Sequence, residues 1–165
     1  MAHQRPGPLR LVLDTNIWLD WLVFDDDGVA PIKSAVAFAR AEIFIDDACT
    51  QELARVLAYP RKQQLLAADA QAACLAEYRS VTRWVEAPAQ GHDEALAQAG
   101  LPVCRDPDDQ KFLALALASD ANFLITKDKL LLELARRKVR RAPFLIVTPG
   151  QFKAALAQAS PREPR

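Results

Sequence analysis

Acidic residues recur where the polarity of the chain changes abruptly. The apolar run "LRLVL" (Leu9 to Leu13) ends on Asp14, Thr15 and Asn16, "EIFI" (Glu42 to Ile45) ends on Asp46 and Asp47, and "NFLIT" (Asn122 to Thr126) runs into Lys127 and Asp128. Two further acids lie on helical patterns. In "DDACTQELARVL", Glu52 borders the apolar stripe of Leu53, Val56 and Leu57. In "CRDPDDQKFLALALAS", Asp106 fits a helix cap, Pro107 fits the first helical position, and Asp109 shares a face with Phe112, Leu113 and Ala116. Asp108 lines up with Lys111 instead and is expected to face outward. Carboxylates crowded together raise one another's pKa and cost stability unless a cation joins them. With oxygen donors and no His or Cys partner, that cation is a hard one, Mg²⁺ or Mn²⁺, whose usual work in such a site is phosphoryl chemistry.

Each acid also has an ordinary structural role. Asp14 to Asn16 and Asp106 to Asp109 read as helix starts, where a carboxylate is worth about 0.3 to 1 kcal/mol against the helix dipole. Glu52 can pair with Arg55 one turn on, and Asp128 can cap the "KLLLELARRK" segment. Asp25, Asp26 and Asp27 read as a solvated loop. Capping, however, does not require acids to converge on one edge of a sheet.

The elements that must position these groups are short β-prone runs alternating with Ala- and Leu-rich helical ones. The strands are expected at Leu9 to Leu13, Glu42 to Ile45, Val81 to Ala87, Asn122 to Thr126 and Phe144 to Thr148. The helices are expected at Ile32 to Arg40, Thr50 to Leu57, Gln63 to Arg79, Asp108 to Ser119 and Leu130 to Arg137. This alternation implies an α/β fold with a mostly parallel central sheet covered on both faces. Ligands of such sheets bind outside the carboxyl ends of the strands, which is where the acids follow.

A chain of 165 residues fits one domain. Its 21 basic and 21 acidic residues cancel, so any nucleic-acid contact must use a local patch. Cys49, Cys74 and Cys104 are odd in number, widely spaced and set among apolar residues, which implies reduced thiols rather than a disulfide frame. No CxxC pair exists and His3 and His92 stand apart, which argues against zinc. The N-terminus lacks the apolar core of a signal peptide and no run approaches 18 apolar residues, so a cytoplasmic protein without membrane contact is expected. Residues 1–8 and 158–165, rich in proline and charge, are expected to fray around a domain spanning 9–157.

The ordered set "LVLDTNIW", "TQELARVL", "CRDPDDQKFLALALAS" and "NFLITKDKLLL" resembles the PIN-domain nucleases from Leu9 to about Ala157. The resemblance implies a three-layer α/β/α fold, dependence on one or two Mg²⁺ or Mn²⁺ ions, and cleavage of RNA. It matches Asp14, Glu52, Asp109 and Asp128 to the acidic metal-binding and catalytic set, with Asn16 and Thr126 as polar supports. Asp106 is a further metal candidate, because the "DPDD" group resembles a subgroup described as toxins of toxin-antitoxin systems. A cognate antitoxin and a homodimer are the partners this implies besides RNA.

Outside that set, Lys127 and Lys129 flank Asp128, and Arg136, Arg137, Lys138, Arg140 and Arg141 follow the same helix. They are candidates for holding an RNA backbone, against the alternative that cations at a helix end simply favour its dipole. Trp18, Trp21 and Trp84 are expected in the core rather than as base-stacking platforms, given their apolar neighbours. Rival functions are a catalytically silent binding module, a housekeeping RNA-processing nuclease and a phospho-accepting receiver domain, the last leaving Glu52 without a role. A haloacid-type phosphatase would need an acid where Asn16 stands.

Overall fold

In the runs 9–13 and 41–45 one alternating row is wholly apolar (Leu9, Leu11, Leu13; Ala41, Ile43, Ile45), and the other sets Val12 and Phe44 beside Arg10 and Glu42, so most of each strand can be covered on either side. The computed structural model describes residues 7–60, 65–86, 92–100, 107–136 and 143–159. Its strands are β1 (Leu9–Leu13), β2 (Ala41–Ile45), β3 (Thr82–Trp84), β4 (Phe123–Ile125) and β5 (Leu145–Val147). They form one five-stranded sheet in the order β3-β2-β1-β4-β5, with every pairing parallel. The chain therefore builds outward from β1 on one side, then returns to add β4 and β5 on the other. The carboxyl ends of β1 and β4 flank the point where the winding reverses, the place in such sheets where loops diverge and leave a crevice.

The helices are α1 (Thr15–Leu22), α2 (Ala30–Ala37), α3 (Asp47–Leu57), α4 (Ala68–Ser80), α5 (His92–Gln98), α6 (Pro107–Ala118), α7 (Lys129–Arg136) and α8 (Pro149–Ala159), with a 3₁₀ turn at Asp27–Val29. Alternation along β1 sends Leu11 and Leu13 to one side of the sheet, where they pack with Ile17, Trp18, Ile32, Tyr78 and Phe152. Val12 faces the other way, into a second core with Phe112, Leu113, Leu115, Leu124 and Leu131. The result is helix, sheet and helix in three layers. Among the described residues no helix is long and apolar enough to cross a membrane.

All five expected strands form, β1 with the expected bounds and the other four trimmed or shifted by a residue or a few, the expected end at Ala87 lying outside the described residues. The expected helices form with shifted ends, the expected start at Gln63 and end at Arg137 lying outside the described residues; α3 begins at Asp47 because Asp46 accepts from the Cys49 N–H at 2.8 Å. Two residues past the ends of α2 and α6 the backbone enters the left-handed region, at Ala39 (φ 54°) and Asp120 (φ 49°). In each, an N–H bonds five residues back, Arg40 to Ala35 and Ala121 to Ala116. That turn aims the chain into β2 and β4. Helices α5 and α8 are not among the expected ones, and α8 runs through Ala159, past the expected domain end at Ala157.

Trp18 and Trp21 lie in the core, 5.3 Å apart, with Trp18 edge-on to Tyr78. Trp84 does not: its side is 57% exposed, because β3 is an edge strand, and its indole N–H donates to Asp47 at 3.0 Å. Cys49 is buried and Cys74 half-buried, both as free thiols, while Cys104 lies outside the described residues.

Candidate active site

Asp14 follows β1 directly and caps α1. Its Oδ1 accepts from the N–H groups of Asn16 (2.7 Å) and Ile17 (3.2 Å), and its own N–H donates to the Ile125 carbonyl at 3.1 Å. The Thr126 hydroxyl donates to Oδ2. Asp14 is only 3% exposed, and burial pushes its pKa up, against the lowering effect of these three hydrogen bonds and with a further push from the charge of Asp128. The carboxylate is thus both a cap and a member of a charged group, and the opposing shifts explain why the cap role alone does not account for it.

Thr126 is fully buried behind Asp14 and joins two acids: its Oγ1 also accepts the Asp128 N–H at 2.9 Å. Asp128 caps α7 through Leu130 (2.8 Å) and Leu131 (3.2 Å). From α3, Glu52 accepts the Thr15 hydroxyl on Oε2 and the ammonium of Lys111 on Oε1 at 2.8 Å. Arg55 stands 4.0 Å from the same Oε1, with a largely exposed side chain. From α6, Asp109 joins the group, while Asp108 is exposed.

Asp14, Glu52, Asp109 and Asp128 line one cleft of about 160 Å³ at the carboxyl edge of the sheet. Thr15 and Asn16 add polar rim, and Val56 and Phe112 form an apolar wall. Each acid comes from a different part of the chain: the end of β1, α3, α6 and the turn after β4. Four carboxylates with amide and hydroxyl oxygens are donors suited to a hard divalent cation. As placed, the acids meet across the cleft rather than at a point: among the described residues no three acid, thiol or imidazole groups stand close enough to hold an ion. Glu52 is drawn toward Lys111 and Thr15, and Asp128 toward its own helix. The donor chemistry and the shared cleft fit such an ion.

Lys111 turns inward to Glu52. The spacing aligns it with Asp108, yet its side chain is only 18% exposed, because a four-carbon stem on α6 reaches the acid on neighbouring α3. Lys127 is half-exposed and bonded to the buried carboxylate of Asp20 on α1, so its ammonium is engaged within the protein rather than free for a ligand. Lys129 and Arg136 are exposed at the two ends of α7 and do not line the cleft. Asp106, Arg137, Lys138, Arg140 and Arg141 lie outside the described residues. Sequence reading missed Lys111, Thr15 and Asp20. The one available signal was charge balance: acids drawn together from four parts of the chain call for a basic neighbour, and Lys111 is two residues from Asp109.

A parallel α/β sheet with an acidic cleft at its winding reversal defines the class of this protein. The family model described as PIN domain matches residues 10–130, and the chain belongs to that family, whose members are nucleases that typically use divalent metal ions. Among solved structures, it is similar to a chain of VapBC2 from Rickettsia felis bound to a DNA fragment from their promoter, with 18% identity and a TM-score of 0.59 over 85% of this chain and 98% of that one. PAE2754 from Pyrobaculum aerophilum aligns with 16% identity and a TM-score of 0.57, over 93% of this chain and 94% of the other. At these identities the likeness is one of fold. No curated protein matches the sequence.

Proposed function

We propose that this protein is a divalent-metal-dependent ribonuclease, the toxin of a toxin-antitoxin pair, acting in the cytoplasm. The observation that carries the reading is the convergence of Asp14, Glu52, Asp109 and Asp128 on one cleft in a PIN-family chain. The cation, Mg²⁺ or Mn²⁺, would be held within this acidic set. When bound, such a cation lowers the pKa of water and neutralises charge on a phosphodiester.

The chain's own residues do the rest. Thr126 and the first N–H groups of α1 fix the Asp14 carboxylate, so both oxygens keep their orientation without solvent. Asn16, exposed at the rim, offers an amide to a phosphate oxygen or a water. Val56 and Phe112 keep bulk water from one side of the cleft, which strengthens the electrostatics within. Lys129 and Arg136 remain the exposed cations for the RNA backbone, and cleavage should weaken as salt rises. The likeness to the VapBC2 structure supports an antitoxin as partner.

The test is cleavage of a labelled single-stranded RNA by the purified chain, in EDTA and with Mg²⁺ or Mn²⁺ restored. The expected result is metal-restored cleavage that Asp109→Asn abolishes. Equal cleavage in EDTA, or none under any condition together with no metal binding, overturns the reading.

A further inference from the structure

Glu52 reaches the cleft already paired. The Lys111 ammonium lies 2.8 Å from its Oε1, and the two side chains are only 18% and 13% exposed, so solvent screens the pair little. The Thr15 hydroxyl takes Oε2, leaving both oxygens engaged. Lys111 is held from a second direction, its ammonium standing 5.8 Å from the ring centroid of Phe112, which lines the same cleft. Arg55 approaches the same oxygen from outside, but at 4.0 Å and with a 58% exposed side chain it is a screened, rim charge. The opposite side of the cleft is different in character. There Asp14 and Asp128 are tied to each other through Thr126.

We propose that Lys111 is a resident cation of this cleft: it holds the side of Glu52 that a second divalent ion would need, so the acids load one divalent ion. The inference rests on the metal-dependent reading above, since it concerns the same cleft. Two divalent cations at neighbouring seats repel each other and coexist only where carboxylates bridge them. A monovalent ammonium already seated on one carboxylate neutralises it and repels a second incoming dication, at a distance where the interaction is strong and weakly screened. The seat left for the ion is then the Asp14 and Asp128 side, with Asp109 on the same helix as Lys111 closing the cleft between them. Lys111 acts through Glu52 and through the field of the cleft, so it is a positioning residue.

The test is to count Mn²⁺ bound per chain, by calorimetry and by the electron paramagnetic resonance signal of the unbound ion, on the full chain without RNA. Wild type should bind one Mn²⁺. Lys111→Met should bind two, the first about tenfold or more tighter than in wild type. Lys111→Arg, which keeps the charge, should bind one. Lys111→Gln repeats the comparison should the methionine variant not fold, and circular dichroism melts check both. Two ions in wild type, or one in the charge-removed variant, overturn the proposal while leaving the nuclease reading standing. No ion in any variant overturns both.

Discussion

Thr126, at the end of β4, donates its hydroxyl to Asp14, at the end of the adjacent β1, and accepts the backbone N–H of Asp128 with the same oxygen. One buried side chain thereby couples two acids of the cleft. Thr126→Val keeps the shape but strips Asp14 Oδ2 of its donor and Asp128 N–H of its acceptor. It should cost about 1 to 3 kcal/mol near neutral pH, whereas Thr126→Ser should cost less. The bond lowers the Asp14 pKa, so it favours the ionised form, and its loss is felt most where that form dominates. The penalty should shrink as pH falls through the folded-state pKa of Asp14. Urea unfolding of both variants at several pH values makes the measurement, and a pH-independent penalty would show the bond to be made to a neutral carboxyl.

The register of the "DPDD" turn yields a second outcome. Asp109 lines the cleft and Asp108 is exposed. Asp109→Asn should lower RNA cleavage by at least about a hundredfold, a loss of roughly 2.7 kcal/mol in transition-state stabilisation, and Asp108→Asn should stay within about twofold of wild type. Equal losses would mean that both acids act on the substrate and that the exposed row of α6 is part of the site.

The fold was legible because short β-prone runs alternate with Ala- and Leu-rich helical ones. Leu9–Leu13 and Ala41–Ile45 are long enough to read, the three-residue strands β4 and β5 sit in longer apolar runs, and β3 sits in a β-branched and aromatic one, Val81 to Val85. Helices α5 and α8 carry no comparable pattern: α8 begins at Pro149 and Gly150, residues that read as a turn. The converging acids were legible because Asp14 and Asp128 follow strands, Asp109 begins a helix and Glu52 lies within two turns of a helix start, positions the parallel topology sends to one edge. Lys111 and Lys127 were not. Their partners, Glu52 and Asp20, are set by how α3 lies against α6 and how the β4 to α7 turn lies against α1, and a flexible four-carbon stem carries no periodicity that would reveal it. Trp84 was misread for a related reason: its apolar neighbours mark a strand, but only the sheet order makes that strand an edge.

Asp14→Asn separates the two roles of the residue that ends β1. Asn caps a helix about as well as Asp, so the bonds to Asn16 and Ile17 should persist. What changes is the buried charge. Asp14 has a folded-state pKa raised above 3.8, chiefly by burial. A carboxyl with a raised pKa stabilises the fold fully only below its unfolded pKa and loses that contribution as pH rises through the folded value. In EDTA the variant should therefore match wild type near the acid end of that window. It should melt higher above the window, by about 2 to 4 °C for each kcal/mol relieved in a domain of this size. Divalent metal should reverse the order. Mg²⁺ at roughly ten times its dissociation constant should stabilise wild type by about 1.4 kcal/mol, and the variant, short of one charged ligand, by much less. Thermal melts of both proteins across pH in EDTA, then across Mg²⁺ concentration at neutral pH, give the comparison. Superimposable curves for the two proteins in both series would reduce Asp14 to a helix cap and remove the basis for a cation in the cleft.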